Sequence, residues 1–89
     1  MRILRHKLFL KSFDKVPKKI QYQAIERLEI FLDHPFDPIL RNHALKGKWI
    51  GFRSIDISGD YRIIFRELSD GKYELVELVK IGTHSQLYG

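Results

Sequence analysis

The sequence predicts an α+β domain in which two helices precede an antiparallel sheet. Two observations predict this class. Apolar residues recur every three or four positions as far as residue 34, and from residue 49 onward they alternate with polar residues as in a strand. The chain has 89 residues, which suits one domain, since domains usually contain roughly 50–250 residues. We therefore expect a single domain over residues 1–89 with the order β-α-α-β-β-β.

The N-terminal half is predicted to be a short strand followed by a helical hairpin. The strand is Arg2–Arg5. The first helix carries apolar residues at i, i+4 and i+7, namely Phe9, Phe13 and Val16. Pro17 ends that helix and suits the first turn of the next one, where its missing N–H would be unpaired in any case. The second helix has the apolar stripe Ile20, Ala24, Leu28 and Phe31, and Pro35 ends it.

The C-terminal half is predicted to be a sheet of hairpins. A loop over Leu40–Gly47 comes first, and the predicted strands are Trp49–Ile57, Tyr61–Leu68 and Tyr73–Ile81. Gly-containing turns separate these strands, and Thr83 can cap a final helical turn. One face of such a sheet packs on the helices, so the other face is expected to be free for binding.

Charge and composition narrow the class of function. The net charge is +5, and residues 1–20 hold seven Lys and Arg against one Asp. Without cysteine there is no disulfide framework and no thiolate zinc site. No apolar run approaches the roughly 18 residues of a membrane span. We expect a cytoplasmic protein without a membrane contact, and an anionic partner such as a nucleic acid.

The residues that could carry chemistry lie in the sheet half. They are His43, Lys46, Arg53, Asp60, Arg62 and His84, with Tyr61 and Tyr88 nearby. The histidines lack metal-ligand spacing, and no nucleotide-binding glycine motif is present, so we expect neither a metal nor a cofactor. Basic and titratable groups of this kind suit metal-free RNA cleavage, which needs a base, an acid and cations. From the residues alone, a non-catalytic binding role is favoured over nuclease chemistry.

Three segments resemble a known family. They are Asn42-His43-Ala44-Leu45-Lys46-Gly47, Gly59-Asp60-Tyr61-Arg62-Ile63-Ile64-Phe65 and Gly82-Thr83-His84-Ser85-Gln86-Leu87-Tyr88. Together with the two-helix start, they are similar to the RelE/ParE superfamily of bacterial toxin–antitoxin toxins, and particularly to its YafQ-like and YoeB-like ribosome-dependent mRNA interferases. The resemblance implies a RelE-like fold.

The resemblance also implies roles for individual residues. His43 is expected to be the general base, His84 the general acid, and Arg62 the group that stabilises the phosphate in the transition state. Asp60 matches an acidic position that orients or assists proton transfer. A second set, expected to contact RNA, consists of Lys46, Arg53, Tyr61 and Tyr88.

Three positions depart from the YafQ-like pattern. Asp56 stands where that pattern has a histidine, Tyr61 replaces a tryptophan, and Arg62 replaces a leucine. An anionic group therefore lies near a site meant to attract phosphate. We hypothesise that the charge of Arg62 compensates for that of Asp56.

The resemblance implies several partners. These are mRNA in the ribosomal A site, ribosomal RNA contacted by the basic block from Arg2 to Lys19, a cognate antitoxin, and operator DNA bound by a toxin–antitoxin hetero-oligomer. Two alternatives share the fold. One is a ParE-like DNA gyrase inhibitor, which would not need both His43 and His84. The other is a catalytically inactive relative that binds only an antitoxin or DNA, and Asp56 keeps that alternative open.

Overall fold

A five-stranded sheet carries the fold, and two long helices cover one of its faces. The computed structural model describes residues Met1–Gly89. Its strands are β1 (Arg2–Arg5), β2 (His43–Ala44), β3 (Arg53–Ser58), β4 (Tyr61–Glu67) and β5 (Leu75–Thr83). Its helices are α1 (Lys7–Lys15), α2 (Lys18–Asp33) and the short α3 (His84–Tyr88). The predicted α+β class is confirmed, and no helix is long and apolar enough to cross a membrane.

The sheet is mixed rather than wholly antiparallel. Its strand order is β1-β5-β4-β3-β2, and β1 runs parallel to β5, with Arg2 opposite Leu75 and Arg5 opposite Leu78. The other neighbouring strands are antiparallel. Once β4 has paired with β5, one edge of β5 remains, and β1 fills it. The helical hairpin then carries the chain from this edge to the opposite one, a path that residue periodicity does not reveal.

The main core lies between the helices and the sheet. The ring of Phe31 on α2 meets the ring of Phe65 on β4 edge-on, with centroids 5.0 Å apart. Ile55 and Ile63 are fully buried beside them. Burying a side chain of this size contributes about 1.5–3 kcal/mol. The Ser12 hydroxyl on α1 accepts a 3.1 Å hydrogen bond from the backbone N–H of Ile81, which ties that helix to β5.

A second, smaller cluster lies on the opposite face, which we call the α3 face. Its buried members are Leu45, Ile64, Val79 and Leu87, and Trp49, Phe52 and Tyr88 pack against them. The indole N–H of Trp49 donates a 2.9 Å hydrogen bond to the carbonyl of Leu87, which holds α3 on this face. The face that the sequence predicts to be free is therefore partly covered.

Several element bounds differ from the prediction. Residues Gly47–Trp49 form a short 3₁₀ turn, and Gly51 has a φ of 90°, so β3 begins only at Arg53. The predicted loop contains the two-residue strand β2. Tyr73 has a φ of 55°, in the left-handed region, so β5 begins later than predicted.

The chain ends as the sequence predicts, in a capped helical turn. The Thr83 hydroxyl accepts from the N–H of Gln86, and the Gln86 side chain accepts from the N–H of Thr83. Gly82 precedes this cap. A Cβ there would lie 2.8 Å from Oε1 of Gln86, so glycine gives the capping side chain its room.

The β4–β5 loop is organised around one carboxylate. Glu67 accepts hydrogen bonds from the Ser69 hydroxyl and from the backbone N–H groups of Ser69, Gly71 and Tyr73. Burial by itself would raise the pKa of Glu67, but these hydrogen bonds together lower it below the ordinary value. The charged carboxylate therefore stabilises the loop that turns β4 into β5.

We predict that Glu67→Gln lowers the free energy of unfolding near neutral pH. Since the pKa of Glu67 is depressed in the folded state, its stabilisation is complete above the ordinary glutamate pKa of about 4.3 and is lost as pH falls through the lower folded-state pKa. Urea unfolding of wild type and variant from pH 7 downward should show two curves that converge in acid. Glu74→Gln is the control, since its exposed side chain forms no hydrogen bond or ion pair. A constant difference between wild type and Glu67→Gln at every pH would contradict the prediction.

Candidate active site

Two adjacent rows of residues cross the sheet on the α3 face. In one row His43 of β2 lies opposite Ser54 of β3, and Ser54 lies opposite Ile64 of β4. In the next row Asp56 of β3 lies opposite Arg62 of β4, which in turn lies opposite Gly82 of β5. Directly opposed residues present their side chains on the same face. The two rows therefore bring His43 and Arg62 to one face, although they come from distant parts of the sequence.

Arg62 is held loosely by a carboxylate. Its Nε lies 3.7 Å from Oδ1 of Asp56, and both side chains are only about one-fifth exposed. The other oxygen of Asp56 lies 3.4 Å from the guanidinium of Arg41, which is largely exposed. The separation of 3.7 Å allows attraction between the charges but is too long for a hydrogen bond. Two cationic groups thus share one carboxylate, and the cluster keeps a net positive charge.

Three buried polar atoms on the α3 face lack hydrogen-bond partners. They are Oδ1 of Asp56, Nε of Arg62 and the hydroxyl of Tyr88. One other buried side-chain polar atom in the chain is unpaired, Oε1 of Gln23 on α2. Leaving such a group unpaired costs roughly 1–3 kcal/mol, so most of them are satisfied in folded proteins. Three of the four such atoms in the chain therefore lie together on the α3 face.

The residues of α3 extend this site. Gly82 lies opposite Arg62, and His84 follows two residues later as the first residue of α3. The rings of His84 and Tyr88 are one helical turn apart, with centroids 4.7 Å from each other. Tyr88 also packs against the apolar cluster of the α3 face. The capping box at Thr83 therefore fixes the direction in which His84 leaves the sheet.

The hydrogen bonds of His43 select one tautomer. Its Nδ1 lies 2.7 Å from the carbonyl oxygen of Arg41. A carbonyl oxygen only accepts, so Nδ1 carries the hydrogen, and Nε2 of the neutral ring keeps its lone pair. Nε2 lies 3.5 Å from the hydroxyl of the buried Ser54, at the limit of a hydrogen bond. This arrangement leaves Nε2 able to accept a proton.

One expected catalytic residue lies in the turn before β4, and one expected RNA-binding residue faces the helix side of the sheet. Asp60 is exposed in the β3–β4 turn and forms no hydrogen bond or ion pair. Tyr61 packs against the main core on the helix side, because successive residues of a strand face opposite sides of a sheet. The structure therefore separates Tyr61 from its neighbour Arg62.

The basic residues Arg53 and Lys46 occupy different environments. Arg53 donates from Nε to the Asn42 side chain at 2.9 Å, and its guanidinium lies over the ring of Phe36, 5.6 Å from the centroid. These contacts hold the loop before β2 against β3 on the helix side of the sheet, so Arg53 faces away from Ser54 and Asp56. Lys46 is exposed directly after β2 and forms no ion pair. It is free to reach an anionic ligand beside His43.

Sequence patterns alone do not indicate Arg41 and Ser54 as site residues. Ser54 and Asp56 alternate with apolar residues in the predicted strand and therefore lie on one face. This alternation indicates that Ser54 lies beside Asp56. Arg41 has a φ of 47° in a loop, and no sequence pattern indicates its contact with Asp56. No group of three or more His, Cys, Asp or Glu side chains is arranged to hold a metal ion.

Comparison with known proteins shows the same architecture. The crystal structure of YafQ from Escherichia coli strain BL21(DE3) superimposes with a TM-score of 0.80 at 18% identity, covering 99% of this chain and 98% of that one. The solution structure of a conserved hypothetical protein from Helicobacter pylori has a TM-score of 0.76 at 29% identity, covering 99% of each chain. The E. coli DinJ–YafQ toxin–antitoxin complex has a TM-score of 0.77 at 18% identity, covering 99% of this chain and 97% of that one.

Sequence comparison supports the same assignment. The mRNA interferase toxin YafQ of E. coli strain K12 is 31% identical over 55 residues, which is 62% of this chain and 55% of the relative. The alignment thus spans about half the length of that relative. Residues 2–89 match the family described as "Bacterial toxin of type II toxin-antitoxin system, YafQ". Since this match covers nearly the whole chain, the protein belongs to the YafQ family of bacterial type II toxin–antitoxin toxins.

Proposed function

We propose that this protein is a ribosome-dependent mRNA endoribonuclease. The observation that carries the proposal is the guanidinium of Arg62, about one-fifth exposed and only loosely paired with Asp56, on the face that also holds His43. A half-buried guanidinium that its carboxylate neutralises only in part is a strong site for a phosphate oxygen. The name of the curated E. coli relative, an mRNA interferase toxin, supports the same activity.

The proposed reaction begins at the 2′-hydroxyl of the RNA. Nε2 of His43 accepts the 2′-hydroxyl proton, and the 2′-oxygen forms a bond to the adjacent phosphorus. Charge develops on the phosphate oxygens of the pentavalent transition state, and Arg62 stabilises it. The bond to the 5′-oxygen then breaks, and His84 donates the proton that this oxygen takes up. The products are a 5′-hydroxyl end and a 2′,3′-cyclic phosphate, which water opens to a 3′-phosphate.

The Asp56–Arg41 pair keeps this site cationic in the proposal. Asp56 offsets part of the charge of Arg62, but Arg41 shares the carboxylate at 3.4 Å. A phosphate that approaches Arg62 therefore meets two guanidinium groups against one carboxylate. Lys46 adds a flexible charge, and the ring of Tyr88 offers a surface for an unpaired base, a contact that contributes about 1–3 kcal/mol. In this proposal Asp60 takes no direct part in proton transfer.

In this proposal the ribosome holds the mRNA in place for cleavage. The chain has 89 residues and little surface with which to grip a message. The basic segment Arg2–Lys19 would contact ribosomal RNA and present the α3 face to mRNA in the A site. A cognate antitoxin would oppose this activity, as the solved toxin–antitoxin complex of the E. coli relatives suggests for this family. A toxin–antitoxin hetero-oligomer would bind operator DNA.

We predict that Arg62→Ala slows single-turnover cleavage of ribosome-bound mRNA by roughly 10²–10³-fold, the usual effect of removing one donor to a developing oxyanion. Ribosome affinity should stay nearly unchanged. Arg66→Ala is the matched control, since Arg66 lies on the same strand but pairs with Glu77 at 2.9 Å. Equal losses of cleavage and ribosome affinity in Arg62→Ala would contradict the proposed role.

We predict that His84→Ala lowers the cleavage rate by roughly 10²–10⁴-fold, the range for a lost general acid. His34→Ala, at the exposed C-terminus of α2, should leave cleavage unchanged. Message breakdown in a translation extract measures both variants.

Asp56→Asn should retain cleavage, because the carboxylate charge opposes phosphate binding. If wild type leaves messages intact but inhibits DNA gyrase supercoiling, the nuclease proposal is wrong.

We predict that ribosome binding weakens steeply with salt. Each phosphate contact contributes about 0.7–0.9 to the slope of log affinity against log salt. Removing two exposed charges with Lys18→Ala/Lys19→Ala should reduce that slope, whereas Lys72→Ala in the β4–β5 loop should not. Sedimentation with ribosomes from low to high ionic strength gives the slope. A flat dependence for wild type would refute the electrostatic docking.

A further inference from the structure

A cavity lies at the edge of the sheet beside α1, where β5 continues beyond its pairing with β1. It opens between α1, the start of β4 and α3, and its volume is about 350 Å³. Sites for small ligands range from roughly 300 to 1,000 Å³. Its apolar wall consists of Leu8, Val16 and Ile81. The cavity is therefore large enough for one small organic group and has an apolar surface to receive it.

Three lysines line this cavity: Lys11 and Lys15 from α1, and Lys80 from β5. No carboxylate lines it, and none of the three lysines takes part in an ion pair. Like charges repel, so three uncompensated ammonium groups around one cavity favour an anion between them. A phosphate monoester carries up to two negative charges and balances this set better than a single carboxylate does.

The remaining polar groups of the cavity are donors and an aromatic ring. Oε1 of Gln86 already accepts from the N–H of Thr83, at 2.9 Å, so the amide NH₂ of Gln86 is left to donate. Tyr61 contributes its ring, and its hydroxyl forms no hydrogen bond within the protein. An aromatic ring beside cationic groups is the combination that binds a base and its phosphate.

We propose that this cavity binds a phosphorylated nucleoside. The phosphate monoester lies among Lys11, Lys15 and Lys80, and the base packs against Tyr61. None of His43, Arg62 and His84 lines this cavity, so it is a separate site, although Lys80 lies opposite Ile64 and Gln86 lies beside Gly82, which places both next to the α3 face. It adds a nucleotide-binding function that RNA cleavage does not require. The phosphate comes either from a free nucleotide or from the 5′ end of an RNA strand.

Backbone NMR titration of the full chain tests the proposal. The probes are adenosine 5′-monophosphate and a short 2′-O-methyl oligonucleotide with either a 5′-phosphate or a 5′-hydroxyl. We expect the monophosphate to shift amides of α1 and of residues 61, 80 and 86. Lys11→Ala/Lys15→Ala should weaken binding by roughly tenfold or more, as for two lost charge-assisted hydrogen bonds. Lys72→Ala, on an exposed loop at the other end of the β4–β5 hairpin, is the control and should change affinity by less than about twofold.

The oligonucleotides distinguish the two sources of phosphate. If the 5′-phosphorylated strand binds much more tightly than the monophosphate and the 5′-hydroxyl strand does not, an RNA end is the ligand. If the two phosphorylated probes bind equally, a free nucleotide suffices. Both results support the site.

Three results would overturn the proposal. One is the absence of shifts at millimolar monophosphate. Another is a set of shifts confined to the α3 face that disappears in Arg62→Ala, which would assign the phosphate to the cleavage site. The third is binding of a glutamate-rich peptide at the cavity without binding of any nucleotide, which would make it a surface for an acidic protein. Dispersed spectra of both lysine variants establish that they are folded, and Tyr61→Leu provides an independent variant that should also weaken binding.

Discussion

The structure depends on a central strand that is buried on both faces. Ile63, Ile64 and Phe65 of β4 are consecutive and fully buried, so alternating side chains must be covered on opposite sides of the sheet. The two long helices cover one side. The other side is covered by α3 and the loop around Trp49, which a hydrogen bond joins to each other. A short terminal helix of five residues is therefore essential to the packing of the sheet.

The apolar cluster on the α3 face covers only part of the sheet, and the charged pair Asp56–Arg62 lies beside the covered part. Ile64 is covered by the small cluster, but the next row toward the strand ends contains Asp56 and Arg62. Their polar atoms are buried without full hydrogen bonding, a cost that a packed apolar row would not carry. Partial burial lowers the local dielectric response, so the attraction of Arg62 for an anion is stronger than at an open surface. The same helix that covers the cluster also carries His84, two residues after the Gly82 that lies opposite Arg62.

Much of the fold follows from local sequence patterns. Helical spacing of the apolar residues located both long helices, and Thr83 marked the start of α3. The departures have physical causes beyond the range of a local pattern. Positive φ values at Gly51 and Tyr73 make β3 and β5 begin later than predicted, and the parallel pairing of β1 depends on the path of the whole chain.

The candidate site was only partly predictable for similar reasons. Motifs indicated His43, Arg62 and His84, and strand register explains how residues from separate segments reach one face. Strand alternation already implied that Tyr61 and Arg62 cannot share a face. Arg41 contacts Asp56 from a loop residue with left-handed backbone geometry, and such a contact becomes visible only in three dimensions. The cavity lined by Lys11, Lys15 and Lys80 likewise lies between α1 and β5, which are far apart in the sequence. Residue spacing does not reveal it.

The chemistry of the RNA ends tests the central claim most directly. Cleavage through the 2′-oxygen, with His43, Arg62 and His84 as the reacting groups, leaves a 5′-hydroxyl on one fragment and a cyclic or 3′-phosphate on the other. Mass spectrometry of fragments from a defined message on purified ribosomes identifies both ends. We expect those two ends, and no cleavage when the scissile nucleotide carries a 2′-deoxyribose. Fragments with a 5′-phosphate and a 3′-hydroxyl would contradict this mechanism.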